Sequence, residues 1–336
     1  MESIWHCDFN DTEPVHTAVV GVGNISTSYL SDSQLRELSV RKFYSPDVTG
    51  MLQEKDLSLA NLECPLTDVA SPIVKSGPCL RGCSKSIALI EQGYFDIAVM
   101  ANNHVLDHGA EGLSTTRKIC HEAGIKTLGV GENDIEAKTP FLLDHNACRI
   151  AILSFAEREF NCATSDTPGA AVFELPSACK CISEVRSSAQ FVIVIVHGGV
   201  ELYPLPSPRV QQAYRFLIDC GADAVLGHHP HVIQGVETYK NKPIIYSVGN
   251  FFFPKHGAAP KCWNAGGILR MRFGASAIHS CDLFVCRTIE SESAFQITSL
   301  TPPEHAESVR RQEQYSEILT TPRLLEGFFD CFCWES

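Results

Sequence analysis

The 336-residue chain has no apolar run near the roughly 18 residues that a membrane-spanning helix needs, so no membrane span is expected. Its first residues, Met1-Glu2-Ser3-Ile4-Trp5-His6, offer neither a basic start nor an apolar stretch behind it, so no secretory signal is expected. No block of Lys and Arg offsets the formal net charge of −12, which argues against a nucleic-acid surface. Internal repeats and low-complexity linkers are missing too. One domain over 1–336 is the simplest organisation, with a core over 17–300 and a C-terminal segment 301–336 packing on it. No pair of C-x2-C knuckles occurs among the 15 cysteines, which weakens a structural zinc site. Their number is odd, so at least one thiol has no partner within the chain. Together these absences point to a reducing cytoplasm, with the cysteines mostly small buried hydrophobes rather than disulfides.

What the chain does have is histidine, 13 residues of it, and a dense cluster, Gly227-His228-His229-Pro230-His231. A buried imidazole needs a partner for its ring N–H, and three together need several. Clustered imidazoles at the end of a strand more often share a metal ion than pack against one another. The bland alternative is a surface loop rich in His. The residues before the cluster, Gly221 to Leu226, read as a turn and a short buried strand. Open α/β sheets place their sites at such strand ends.

Other segments repeat the pattern. The apolar run 17–23 closes on glycine and is followed by Asn24. The run 57–63 ends in Glu63, and Pro65 then stops the strand. A lone buried carboxylate costs several kcal/mol, so Glu63 needs a cation, either a metal or an ordinary Arg or Lys partner. The strand 96–100 runs into Ala101-Asn102-Asn103-His104, where the two asparagines are either ligands or turn formers. The run 191–196, apolar at every position, predicts a strand covered on both faces and delivers His197-Gly198-Gly199-Val200-Glu201. Helical spacing predicts helices near 30–38, 84–93, 110–123, 177–187, 207–220 and 303–320. Further strands are expected near 126–130, 149–155, 231–237 and 243–248. Antiparallel strands at 266–273, 282–288 and 294–299 then extend a sheet. The last apolar residues, 328–334, are expected to pack back on the body or on a partner.

Five strand ends thus carry Asn24, Glu63, Asn103-His104, His197 and His229-x-His231, hard oxygen and borderline nitrogen donors on rigid supports. The chain resembles the capsule-synthesis CapA family, associated with poly-γ-glutamate, over about residues 17–253. The resemblance rests on Asn61-Leu62-Glu63, Ala101-Asn102-Asn103-His104 with Asp107 and Gly109, His197-Gly198-Gly199-Val200-Glu201, Gly221-Ala222-Asp223 through His231, and Tyr246-Ser247-Val248-Gly249-Asn250-Phe251. It implies an α/β fold, a four-layer α/β/β/α sandwich like that of calcineurin-like metallophosphoesterases. It also implies divalent-metal ligands (Mn, Zn, Ca or Mg; one or two ions) at Glu63, Asn103, His197, His229 and His231, with Asn24 at a further ligand position. His104, Asn103 and Glu63 are the implied catalytic residues. Arg81 falls where the family often has an arginine and is a candidate carboxylate or phosphate clamp. Asn102, Glu201 and His228 are further substrate-side candidates.

One departure matters. The family usually has Gly-Asp where this chain has Gly23-Asn24, so Glu63 is the only carboxylate among the matched ligand positions. A single tightly held ion, or two only with the help of an anionic substrate, is therefore expected. The resemblance implies a small peptide-like, γ-glutamyl-like or otherwise anionic substrate, with amide hydrolysis or transfer, or epimerase-type acid/base chemistry. Phosphoester hydrolysis is the alternative suggested by the fold, and a non-catalytic binding protein with a decayed site is the alternative outside enzymology. A homo-oligomer is compatible with the sequence.

Overall fold

Strands that are apolar at every residue must be covered on both sides, and two such sheets can cover each other on one side only. Helices must supply the outer layers. A computed structural model of the protein describes residues 1–10, 12–37, 42–146, 148–254, 261–290, 294–321 and 324–325. Along the chain its first strands are β1 (Trp5–Asp8), β2 (Thr17–Ile25), β3 (Leu57–Leu62), β4 (Ile97–Val99), β5 (Lys126–Leu128) and β6 (Val130–Gly131). Next come β7 (Phe141–His145), β8 (Cys148–Ala156), β9 (Gly169–Ala170), β10 (Phe191–His197), β11 (Ala224–His228) and β12 (Val236–Tyr239). The last are β13 (Lys242–Ile245), β14 (Asn250–Phe252), β15 (Ala265–Phe273), β16 (Ile278–Glu290) and β17 (Phe295–Ser299). The helices are α1 (Asp32–Glu37), α2 (Pro46–Gln53), α3 (Ile87–Gln92), α4 (Gly109–Glu122), α5 (Asp134–Ala137), α6 (Leu175–Arg186), α7 (Pro208–Asp219) and α8 (Pro302–Thr320).

One sheet has the order β1-β16-β15-β2-β3-β4-β5, with β14 also pairing β2 and β17 pairing β16. The other has the order β12-β13-β11-β10-β8-β7. The period-2 alternation of side chains assigns each strand residue to a layer. In β10, Phe191, Ile193 and Ile195 face the other sheet, meeting Leu57 and Leu59 of β3 in one apolar cluster. The intervening Val192, Val194 and Val196 pack outward with Ile182 of α6 and Leu217 of α7. On the opposite side, Ala60 and Leu62 of β3 pack with Leu52 of α2, Leu89 of α3 and Leu113 of α4. The result is the expected four-layer α/β/β/α sandwich.

The predicted helices and most predicted strands are present. α7 begins where Ser207 accepts a hydrogen bond from the Val210 N–H, with Pro208 at its first position. α8 opens with a capping box between Thr301 and Glu304. The strand expected over 231–237 starts only at Val236, because His231 has a positive φ of 61° and leaves the extended region. β1, β7 and α2 carry weak periodicity and leave little trace in the sequence. The segment 328–334, with Cys331 and Cys333, lies outside the described residues. The expectation of reduced cysteines is corrected at one pair: Cys179 in α6 and Cys220 after α7 form a disulfide. Closing a loop of 41 residues stabilises the fold by about 4 kcal/mol on chain-entropy grounds. Cys64, Cys120, Cys148, Cys281 and Cys286 are free and buried, as expected of small hydrophobes. Among the described residues, no helix is long and apolar enough to cross a membrane.

Candidate metal centre

The parallel strands β2, β3 and β4 of one sheet and β10 and β11 of the other end on the same side of the sandwich. Their last residues and the turns beyond them converge. Glu63, one residue past β3, His197 at the end of β10 and His229 just past β11 bring one ligand atom each within 4.8 Å of one another, all buried. Nε2 of His197 lies 3.7 Å from Oε1 of Glu63. Nε2 of His231 lies 3.7 Å from the same oxygen. Oδ1 of Asn103 is 3.1 Å from Nε2 of His197. Five residues from four separate segments, Glu63, Asn103, His197, His229 and His231, therefore meet at one place.

The electrostatics of this cluster are unusual. Glu63 is fully buried, yet neither carboxylate oxygen accepts a hydrogen bond among the described residues. Burial pushes its carboxyl well above the usual carboxylate range, and Glu201, Glu159 and Asp107 push it further. Burial holds His197 well below the ordinary imidazole value, and the neighbouring histidines add to that effect. Burial also lowers His229, against the opposing pull of Glu201, Glu159 and Glu157. Both shifts favour the neutral imidazole, in which one ring nitrogen carries a lone pair. A buried carboxyl with no hydrogen bond among the described residues, beside imidazoles that favour the neutral form, is a donor set that could hold a divalent ion. Backbone strain agrees: His229 has φ 97° and His231 φ 61°, regions that cost non-glycine residues of order 1–3 kcal/mol each and that concentrate at functional sites.

Asn24, expected at a further ligand position, has both ends of its amide engaged. Its Oδ1 accepts a hydrogen bond from Asn61 Nδ2 at 2.9 Å, and its Nδ2 donates to Asn250 Oδ1 at 3.2 Å. The amide stands behind the histidines with both ends engaged. Asn102, expected on the substrate side, has its amide committed to the backbone. It is fully buried, donates to the Leu62 carbonyl at 2.8 Å and accepts from the His104 N–H at 3.0 Å. It braces the turn, as the turn-former alternative anticipates. His228 is buried beside His197 in strand register, and burial drives its pKa down to about 3. Arg81 is exposed and donates from Nη1 to the Thr67 carbonyl at 3.0 Å. Glu201 is exposed, near enough to act on Glu63 and His229 through space.

His104 has its own supporting group, of which the sequence motif contains Asp107 but gives no sign of Lys75. Its Nδ1 is 2.7 Å from Oδ2 of the fully buried Asp107. The same carboxylate oxygen accepts the Leu80 N–H at 2.6 Å, and the other takes the Lys75 ammonium. Lys75, its side chain 2% exposed, comes from the long coil between Thr67 and Gly82. Ile73 in that coil donates its N–H to the Asp107 carbonyl at 3.0 Å, and Ser71 donates to His108 Nδ1 at 2.9 Å. No periodicity marks Lys75, so only the fold could find it. Asn61 and Asn250 did have a signal, since each lies at or just after an apolar run, as the assigned residues do. Glu159 accepts weakly from Asn103 Nδ2 at 3.4 Å and follows β8, another strand ending at this rim.

A family model described as bacterial capsule synthesis protein PGA_cap matches residues 18–255, a stretch that contains every residue of the cluster. A capsule biosynthesis protein CapA of Bacillus anthracis is 34% identical over 180 residues, 52% of this chain and 44% of that protein. A PGA biosynthesis protein CapA of Bacillus subtilis is 32% identical over 177 residues, 52% of this chain and 47% of that protein. The chain thus spans about half the length of these relatives. Among solved structures, a hypothetical protein from Thermus thermophilus aligns with a TM-score of 0.48 at 14% identity, covering 80% of this chain and 98% of that one. A phosphatase from Mycoplasma pneumoniae aligns with a TM-score of 0.47 at 9% identity, covering 87% and 96%.

Proposed function

Because the chain belongs to the PGA_cap family of bacterial capsule synthesis proteins, we propose that it is a metal-dependent enzyme acting on a carboxylate-bearing, γ-glutamyl-like substrate. The observation that carries this reading is the buried Glu63 carboxylate, without a hydrogen bond among the described residues and beside His197, His229 and His231. Those four residues and Asn103 would hold a divalent ion. When bound, such an ion supplies Lewis-acid polarisation of a carbonyl, carboxylate or phosphoryl oxygen.

The rest of the site belongs to the protein. His104 presents Nδ1 to Asp107, which leaves Nε2 as the ring atom for proton transfer with a substrate. Asp107 is neutralised by Lys75, so the ring is oriented without stranding a charge. Arg81, an exposed residue, is the candidate cation for a substrate carboxylate. The names of the relatives, capsule and PGA biosynthesis, favour a γ-glutamyl amide over other acidic substrates. Amide hydrolysis or transfer and proton abstraction beside a held carboxylate both use this arrangement.

The test is incubation of the protein with Mn²⁺ or with chelator, on γ-glutamyl peptides and in parallel on a nitrophenyl phosphodiester. Product analysis is by mass spectrometry and absorbance. Metal-dependent change of the peptide is expected, lost in His104→Ala while metal still raises the melting temperature. Turnover of the phosphodiester alone would replace the substrate class. Full activity in chelator would end the metal reading, and metal binding without any turnover would favour a binding protein.

A further inference from the structure

β14, β2 and β3 run side by side and parallel, and their pairing sets three asparagines in one row. Asn250 is opposite Asn24, and Asn24 is opposite Asn61. The register shifts at Gly23, where a side chain would run into the carbonyl oxygens of Gly249 and Val248. The amides form a directed chain. Asn61 Nδ2 donates to Asn24 Oδ1 at 2.9 Å, Asn24 Nδ2 to Asn250 Oδ1 at 3.2 Å, and Asn250 Nδ2 to the Trp263 carbonyl at 3.1 Å. Each of the two outer histidines leans on this row through its back nitrogen. His231 Nδ1 is 2.9 Å from Asn250 Oδ1 and 3.2 Å from Asn24 Nδ2. His197 Nδ1 is 3.3 Å from Asn61 Nδ2. The front nitrogens of both rings are the ones that lie 3.7 Å from Glu63.

From this row we infer that the centre holds one divalent ion, with Asn24 a positioning residue that orients His231 and His197 and is not itself a ligand. The inference rests on the proposed metal reading. Its physical reason is geometry and charge. The Asn24 oxygen already accepts from Asn61, and the amide contributes no negative charge. Glu63 is left as the only carboxylate between the rings, and one carboxylate neutralises half of one divalent ion. A second ion at bridging distance would meet the repulsion of the first with, among the described residues, only the longer-range charge of Glu159, Glu201 and Asp107 to offset it. The partners behind metal-bound histidines typically change metal affinity 10–100-fold when removed.

The experiment is calorimetric titration of chelator-stripped protein with Mn²⁺, with metal content measured after desalting, on wild type, Asn24→Ala and Asn250→Ala. One equivalent is expected in all three. The dissociation constant should rise about 10-fold or more in each variant. The visible absorption spectrum of Co²⁺-loaded Asn24→Ala should keep the wild-type shape, since no ligand is lost. Asn250→Ala carries the same information should Asn24→Ala fail to fold, which circular dichroism reports. Two tightly held equivalents in wild type would overturn this inference and leave the metal reading standing. So would unchanged affinity in both variants, or a Co²⁺ spectrum showing a lost ligand. No bound metal at all would overturn both.

Discussion

Glu63 and Asp107 are equally buried carboxylates, and the protein treats them in opposite ways. Asp107 accepts from Lys75, His104 and the Leu80 N–H, so its lone pairs are filled and its charge is balanced. Glu63 accepts from nothing among the described residues, and the nearest ring nitrogens, those of His197 and His231, lie 3.7 Å away. Both are 0% exposed. The contrast teaches that burial alone does not mark a site. Asp107 is a finished ion pair that fixes a ring, whereas Glu63 has no cationic Lys or Arg partner among the described residues.

The strongest way to break this contrast is to remove a partner from the finished pair. Asp107→Ala should cost about 3–5 kcal/mol in urea denaturation, because it strands the buried Lys75 ammonium. A loss below about 1 kcal/mol would mean that the two carboxylates are not different in kind. Glu63→Gln should behave oppositely. In metal-free protein it removes a carboxyl that burial disfavours, so stability should hold or rise. What it should lose is the stabilisation that metal gives wild type, about 2.7 kcal/mol at a metal concentration of roughly 100 times the dissociation constant. Equal metal-linked stabilisation in wild type and Glu63→Gln would remove Glu63 from the centre.

The pH response sharpens the same comparison with a smaller effect. The folded-state value of Glu63 is raised, so its contribution is fully present below the ordinary 4.5 and is lost as pH rises through the raised value. Metal-free wild type should therefore lose stability over that window, and Glu63→Gln should not. Metal affinity should rise with pH over the same window, because the cation takes the place of the Glu63 proton. On the acid side the histidines act. His228, lowered from 6.5 to about 3, contributes stability above pH 6.5 that is lost as pH falls toward 3. His228→Gln should flatten that limb of the denaturation midpoint against pH, and an unchanged limb would assign the acid loss to other groups.

Much of the site is legible without coordinates, and the reason is specific. β10 is apolar at all six positions before His197, so its two covered faces, and with them the middle layers of the sandwich, can be read directly. Glu63, His197, His229 and His231 each follow such a run, and rigid strands carry their ends to a common rim. Asn24 too follows an apolar run, but sequence spacing cannot show that its amide pairs with Asn61 and Asn250. Lys75 is invisible because it lies in a coil of Pro, Ser and Gly whose path is fixed by hydrogen bonds to a turn about 30 residues away.

Local pattern by itself determined which residues end strands and which types of donor they bring, because hydrophobic alternation is a property of neighbouring residues. Tertiary structure alone decided which donors keep their lone pairs and which spend them on one another. That choice depends on strand register and on a coil folding back over the rim, and neither is written in any one segment.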